Sequence, residues 1–229
     1  MSGLRWLQVG VGSVGLRRLR VAFADARVRV VGAVDSERVG RDAAVALGVA
    51  WVGDDLALAL ATLQPDVVVV STPHVHHLAQ VRAALAAGAA VLCEKPLGAA
   101  AADVRALVAA AAGRKLAMAR NHLHLPSVAE ALRRAKAGAI GDVMTLRVSV
   151  GHNRAASLPA WHREAASAGG GCLRDNGAHA LLICEDLWRA ANDAPVRAHT
   201  TRIEPAAGGD VEAVLVGDVM SAAGRRLAL

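Results

Sequence analysis

Hydrophobic positions in the first half of the chain fall into short uninterrupted runs, separated by longer stretches in which apolar residues recur every three or four positions. Leu4 to Val9, Val28 to Val34, Val67 to Ser71, Ala90 to Cys93 and Leu116 to Ala119 read as strands. The segments between them are rich in alanine and amphipathic, so they read as helices. Strands and helices alternating at this spacing predict a parallel sheet covered on both faces and joined by right-handed crossovers. The valine run 67–70 shows no polar alternation, as expected of a central strand buried on both sides.

After about Asn121 the pattern changes. A helix at Ser127 to Ala137 and a turn at Gly138 to Asp142 lead into Val143 to Val150, where polar and apolar residues alternate as in a one-faced strand. A glycine-rich segment, Gly169 to Gly171, precedes a helix running through Trp188, and further strands are expected at Val196 to Ile203 and Val211 to Val216. The expected fold class is therefore α/β. A doubly wound parallel domain spans residues 1–121, and a shorter α+β domain with an open, mostly antiparallel sheet spans 122–229.

Composition narrows the class without naming a function. The chain has 229 residues, of which 54% are hydrophobic, enough to bury a sizeable core. With one Phe, no Tyr and four Trp, that core must be built from small aliphatic side chains, and stacking platforms for single-stranded nucleic acid are scarce. The net charge is +6, yet the basic residues are scattered, and their densest clusters are pairs such as Arg17-Arg18 and Arg133-Arg134. No nucleic-acid partner is expected; a mild positive potential suits an anionic ligand. The three cysteines, Cys93, Cys172 and Cys184, form no C-x-x-C pair and sit among apolar or small residues, as in a reducing, cytoplasmic protein. No stretch reaches the roughly 18 apolar residues of a membrane span, and Met1 to Gln8 lacks the layout of a secretory signal.

The strongest motif is Gly10-Val11-Gly12-Ser13-Val14-Gly15, which follows an expected strand and opens an expected helix. In that context the first glycine permits a tight turn, the second lets the backbone approach a pyrophosphate, and the third lets helix and strand pack closely. The helix N-terminus adds amides and a positive dipole end. These are the marks of a Rossmann domain. Asp35, twenty residues beyond Gly15, ends the second strand, where a carboxylate accepts hydrogen bonds from ribose hydroxyls and so favours NAD. Arg38 lies close by as a candidate for a 2′-phosphate, which leaves NADP open as the alternative.

Ser71-Thr72-Pro73 and Glu94-Lys95-Pro96 both end strands, so their loops open at the carboxyl edge of the sheet, where ligands of such folds collect. Lys95 is one of only three lysines, whereas the remaining 23 of the 26 basic residues are arginines. A lysine retained against that bias points to a compact ammonium of tunable pKa. Asp175 and His179, four apart at the start of an expected helix, project from one face. A carboxylate beside an imidazole suits a general base for an alcohol proton. His74, His76, His77, His122 and His124 complete no recognisable ligand spacing with a carboxylate or cysteine, so no metal site is expected.

Together these residues resemble the Gfo/Idh/MocA oxidoreductases. The resemblance rests on the Gly10 to Gly15 fingerprint, Thr72-Pro73 with His77 following, Glu94-Lys95-Pro96, Gly138-x-x-Gly141, and Gly169-Gly170-Gly171 followed by Asp175 and His179. It implies NAD(P)-dependent hydride transfer with a sugar, polyol or related small alcohol. Lys95, Asp175 and His179 would then form the catalytic set. Cofactor contacts would come from Gly10, Gly12, Ser13, Val14, Gly15, Asp35, Arg38, Ser71, Thr72, Pro73, His77, Glu94 and Lys95. The segment Asn121 to Pro126 departs from relatives, which carry an Arg followed by an aromatic there, and Asn176 replaces an apolar residue. Such relatives also continue well beyond the equivalent of Leu229. A second domain this short is expected to leave sheet edges that a second copy covers, giving a homo-oligomer. The alternative reading is a dinucleotide-binding sensor or assembly protein without catalysis.

Overall fold

A computed structural model describes residues 3–141, Val143, Leu146, Val148, 177–192, and the backbone of 218–220 and 226–228. Packing divides the chain into two units, Met1–Ala119 and Arg120–Leu229.

In the first unit, β1 (Leu4–Val9), β2 (Val28–Val34), β3 (Val52–Gly53), β4 (Val67–Val70), β5 (Ala90–Cys93) and β6 (Leu116–Met118) form one sheet. Its order is β3-β2-β1-β4-β5-β6, and every pairing is parallel. The helices between them are α1 (Ser13–Ala24), α2 (Arg38–Ala46), α3 (Leu56–Leu63), α4 (His77–Ala86) and α5 (Ala101–Ala110). Strand order reverses between β1 and β4, so the connections leaving their carboxyl ends diverge and open a crevice there. The doubly wound parallel sheet expected from the sequence is what forms, with one addition. β3, two residues long, is too short to register as a hydrophobic run; it exists because Val52 and Gly53 pair with Ala33 and Val34.

Side-chain volume explains the build. Val68, Val69 and Val70 are fully buried, one face of the sheet packing with Leu7, Val81, Leu85, Val91 and Leu107 and the other around Leu19, Ala33 and Ala44. Stiff β-branched residues fit a strand covered on both sides, and burying each valine contributes about 1.5–3 kcal/mol. In α1 the buried positions are Gly15, Leu19 and Ala22, a single helical stripe against the sheet. Cys93 is a free thiol within this core, and burial pushes its pKa up.

In the second unit, α6 (Pro126–Lys136) begins with proline at its first turn and ends with Arg133, Arg134 and Lys136, which complement the helix dipole. Glu130 on this helix accepts from Arg133 and Arg134, and these partners hold its pKa down at about 2. Gly138 and Gly141, both at positive φ, form the turn that follows. Helix α7 (Ala178–Asn192) packs with α6, and β7 (Asp218–Met220) pairs antiparallel with β8 (Arg226–Ala228). Of the strand expected at 143–150 only Val143, Leu146 and Val148 are described, and the strands expected at 196–203 and 211–216, the glycine run 169–171 and Asp175 lie outside the described residues. Among the described residues no helix is long and apolar enough to cross a membrane.

Candidate active site

The glycine turn after β1 is built by steric necessity. Gly10 has φ +82°, and a Cβ there would sit 2.8 Å from Ser71 and Thr72 backbone atoms, so only glycine lets β1 turn against the loop after β4. A Cβ at Gly15 would stand 2.0 Å from the Gly10 carbonyl oxygen; its absence is what lets α1 lie against the strand. At Gly12 the situation reverses, since a Cβ would meet nothing within 4 Å. Gly12 is also the N-cap of α1 and supplies no side-chain cap, and the first turn carries no acidic residue. Amides, a positive helix end and open space coincide there, which fits the pyrophosphate of a dinucleotide.

Buried polar groups hold this turn in place. Gln8, 0% exposed, donates from Nε2 to the Gly10 carbonyl (3.0 Å) and to Ser71 Oγ (3.1 Å), tying the glycine turn to the end of β4 from beneath. Asp35 accepts from the Val11 amide at 2.6 Å through Oδ2 and from the Glu37 amide at 2.8 Å through Oδ1. Each carboxylate oxygen keeps a lone pair, so Asp35 can still accept from ribose hydroxyls. Arg38 is 86% exposed on its side chain and pairs with Asp42 along the helix. The guanidinium gathered at the end of β2 is instead that of Arg41, donating to the carbonyls of Asp35 (2.9 Å) and Ser36 (2.7 Å).

At the end of β5, Glu94 pairs with Arg18 of α1 through Oε1 and accepts from the Lys95 amide through Oε2 (3.3 Å). Glu94 thus ties the Lys95 loop to the helix that carries the glycine motif. Arg18 was visible in the sequence only as half of a basic pair. Its spacing from Gly15 puts it almost one turn along α1, and the fold supplies the carboxylate. Thr72 Oγ1 donates to Gln80 Oε1 at 2.5 Å, pinning the β4 loop to α4.

His77, expected among the cofactor contacts, is held between the loops after β4 and β5. Its ring is 0% exposed, with Nδ1 2.9 Å from the Pro96 carbonyl and Nε2 2.9 Å from the Thr72 carbonyl, so it braces the loops after β4 and β5 against each other. Burial lowers its pKa, opposed in part by the carbonyls of Thr72 and Pro96. The unfolded chain takes up this proton near pH 6.5 while the folded chain resists it. The stabilisation is therefore complete above about pH 6.5 and is lost as pH falls below it. The urea midpoint of the parent should drop between pH 7.5 and 5 by more than that of His77→Asn; equal drops would refute the brace.

In the second unit, His179, 9% exposed, opens a stripe on α7 that continues through Leu182, Ile183 and Asp186. His122 Nδ1 lies 2.8 Å from His179 Nδ1, with ring centroids 4.0 Å apart, and Arg120 pairs with Asp186. Arg120, His122, Leu123, His179, Leu182 and Ile183 line a shallow surface depression. Neither Arg120 nor the contact between His122 and His179 was foreseen, because 57 residues separate the two rings in sequence. Among the described residues no cluster of three or more His, Cys, Asp or Glu could hold a metal ion.

These features agree with what comparison with known proteins returns. Residues 4–122 match the Gfo/Idh/MocA oxidoreductase family with an NAD-binding Rossmann fold, and residues 128–223 match that family's C-terminal domain. The chain is 34% identical over 224 residues to the dTDP-3,4-didehydro-2,6-dideoxy-α-D-glucose 3-reductase of Streptomyces violaceoruber, covering 94% of this chain and 64% of that protein. It is 37% identical over 158 residues to bovine trans-1,2-dihydrobenzene-1,2-diol dehydrogenase (Bos taurus), covering 66% of this chain and 45% of the relative. GenD2 from gentamicin A biosynthesis, solved in complex with NAD, superposes with a TM-score of 0.85 at 33% identity, over 100% of this chain and 65% of GenD2. The chain thus spans less than two thirds of the length of each of these relatives. With both of its halves matched, the chain belongs to the Gfo/Idh/MocA oxidoreductase family.

Proposed function

We propose that this protein is an NAD-dependent dehydrogenase that moves a hydride reversibly between the cofactor and the carbinol carbon of a sugar, polyol or related small alcohol. The observation that carries this reading is the open, uncapped N-terminus of α1 at Gly12, set beside Asp35 and the loops after β4 and β5. Gly10, Gly12, Ser13, Val14 and Gly15 would hold the pyrophosphate and Asp35 the adenosine ribose. Ser71, Thr72, Pro73, Glu94 and Lys95 would border the nicotinamide. When bound, NAD supplies the hydride acceptor. The chain's own residues do the rest: His179 removes the hydroxyl proton, Asp175 helps hold its ring, and the Lys95 ammonium stabilises the negative charge developing on oxygen. Two of the similar proteins are named for a dihydrobenzenediol and a dTDP-linked deoxyglucose, small molecules of the class assigned here. A screen of polyols, sugars and sugar acids for absorbance change at the nicotinamide band tests the activity. NADH binding with no turnover anywhere in it would favour a dinucleotide sensor instead.

NAD is the preferred cofactor in this reading. The Asp35 carboxylate repels a 2′-phosphate, while Arg38 is paired with Asp42 and Arg41 is spent on two carbonyls. Calorimetry should find NADH bound at least about tenfold more tightly than NADPH, and the reverse order would overturn the assignment. We also place the protein in the reducing cytoplasm, in line with the free Cys93 and Cys184, as a homo-oligomer formed through its second unit. A monomer by light scattering at micromolar concentration would remove the oligomer.

A further inference from the structure

We propose that Gly40 of α2 is the positioning residue that seats the Asp35 carboxylate, and that it thereby sets the preference for a dinucleotide with an unphosphorylated adenosine ribose. The inference rests on the cofactor reading above and adds to it a residue that acts only through Asp35. A Cβ on Gly40 would stand 2.6 Å from both Cγ and Oδ2 of Asp35 and 3.1 Å from its Cβ, whereas packed carbon atoms keep about 3.5–4.0 Å apart. The carboxylate therefore lies in the space that any side chain at position 40 would fill. Oδ2, the oxygen that a methyl would strike, is the one that accepts from the Val11 amide at 2.6 Å, inside the glycine turn. A ribose with free hydroxyls donates to a carboxylate held there, while a 2′-phosphate brings like charge and no hydroxyl.

Asp35 has little room to retreat. Its amide donates to the Gly53 carbonyl of β3 at 3.0 Å, its own carbonyl accepts from Arg41 at 2.9 Å, and Oδ1 accepts from the Glu37 amide at 2.8 Å. With the backbone held from both sides, relief for an added methyl comes from turning the carboxylate, which gives up the Val11 amide. The sequence of α2 leads to the same place. Gly40 and Ala44, one turn apart, are its two buried positions, and Ala43, Ala44 and Ala46 show that alanine serves this helix elsewhere. Ala44 packs in the apolar cluster with Val11 and Ala33, while Gly40 faces the carboxylate. Glycine inside a helix costs stability relative to alanine, and Gly40 has no positive φ that would call for it. What the missing methyl makes room for is Asp35.

The test is calorimetric titration of the full chain with NADH and with NADPH, in the parent, Gly40→Ala, Asp35→Ala and the double variant. Gly40→Ala should bind NADH about tenfold more weakly, because the carboxylate is turned away from the ribose, and NADPH within about threefold of the parent, so that the preference narrows. A general loosening of the fold would weaken both alike. In the Asp35→Ala background the methyl no longer meets a carboxylate, and adding Gly40→Ala should change NADH affinity by less than about twofold; the difference between the two backgrounds measures the coupling. Parental NADH affinity and preference in folded Gly40→Ala overturn the proposal, as does an equal loss for both cofactors or an undiminished loss in the Asp35→Ala background. Should Gly40→Ala fail to fold, the double variant decides. Folded and with the affinities of Asp35→Ala, it upholds the seat; unfolded, or folded with weaker NADH binding than Asp35→Ala, it overturns it. If Asp35→Ala binds NADH as tightly as the parent, the reading of Asp35 as ribose ligand falls and this proposal with it. If Asp35→Ala loses affinity while Gly40→Ala keeps it, only the proposal falls.

Discussion

Lys95→Met and His179→Ala, each made alone, are expected to cut turnover by about a hundredfold or more while leaving NADH affinity within a few-fold of the parent. Methionine keeps the length and apolar bulk of the lysine stem and removes only the ammonium. Among 23 arginines and three lysines, Lys95 stands at the end of β5 on a loop braced twice, by Glu94 through its own amide and by His77 through the carbonyl of Pro96. Its backbone should therefore stay in place when the charge is lost. His179→Ala removes the proposed base and leaves a small void beside Leu182 and Ile183. Pyrophosphate and ribose contacts lie at the glycine turn and Asp35, so the bulk of the binding energy should survive both changes. Steady-state rates with calorimetric NADH affinities decide it. Near-parental rates in both variants would remove Lys95 and His179 from the chemistry, and a matching collapse of NADH binding would show that they act on the cofactor instead.

Gly15→Ala is expected to be the most damaging single methyl in the first unit, and Gly12→Ala the most selective. At Gly15 the added Cβ would be 2.0 Å from the Gly10 carbonyl oxygen and 2.9 Å from its carbon. Both are backbone atoms, already tied down by Gln8, so neither can swing aside as a side chain would. Helix α1 has to withdraw from β1, which costs about 3 kcal/mol and takes the first-turn amides with it; NADH affinity should fall about a hundredfold. At Gly12 the methyl meets nothing, and stability without ligand should change by less than about 0.5 kcal/mol. That methyl occupies the space assigned to the pyrophosphate, so affinity should still fall about tenfold. Thermal unfolding of the apo proteins beside NADH titrations separates the two. Unaltered NADH affinity in Gly12→Ala would mean that the dinucleotide does not sit at the head of α1.

Periodicity made most of the first unit readable. The strand ends at Val9, Val34 and Cys93 follow from where apolar runs stop, and the helix after Gly12 follows from its stripe of Gly15, Leu19 and Ala22. Such features depend on neighbours within a few residues, so the chain states them directly. β3 escaped because two residues make no pattern, and pairing with β2 alone defines it. The boundaries of α6 shifted by one residue, to Pro126–Lys136, since proline is accommodated at the first turn.

Side-chain partnerships obey a different rule. Residue type marked Asp35, Glu94, Lys95 and His179 as candidates for chemistry, since each is polar or charged at the end of an apolar run or on one face of a helix. Which atoms they meet was decided by the packing of elements far apart in sequence. Glu94 reaches Arg18 across 76 residues, His77 reaches Pro96 across 19, and His122 reaches His179 across 57. His77 shows the difference most clearly: its place beside Thr72-Pro73 could be read in the sequence, and only the closing of α4 onto the β5 loop set its ring between the carbonyls of Thr72 and Pro96. Local backbone preference and burial pattern are properties of a short window of residues and can be read there. The pairing of a carboxylate with a guanidinium, or of one imidazole with another, is a property of distance in space, which exists only once the sheet has brought its strand ends together and α7 has packed against the turn that carries His122.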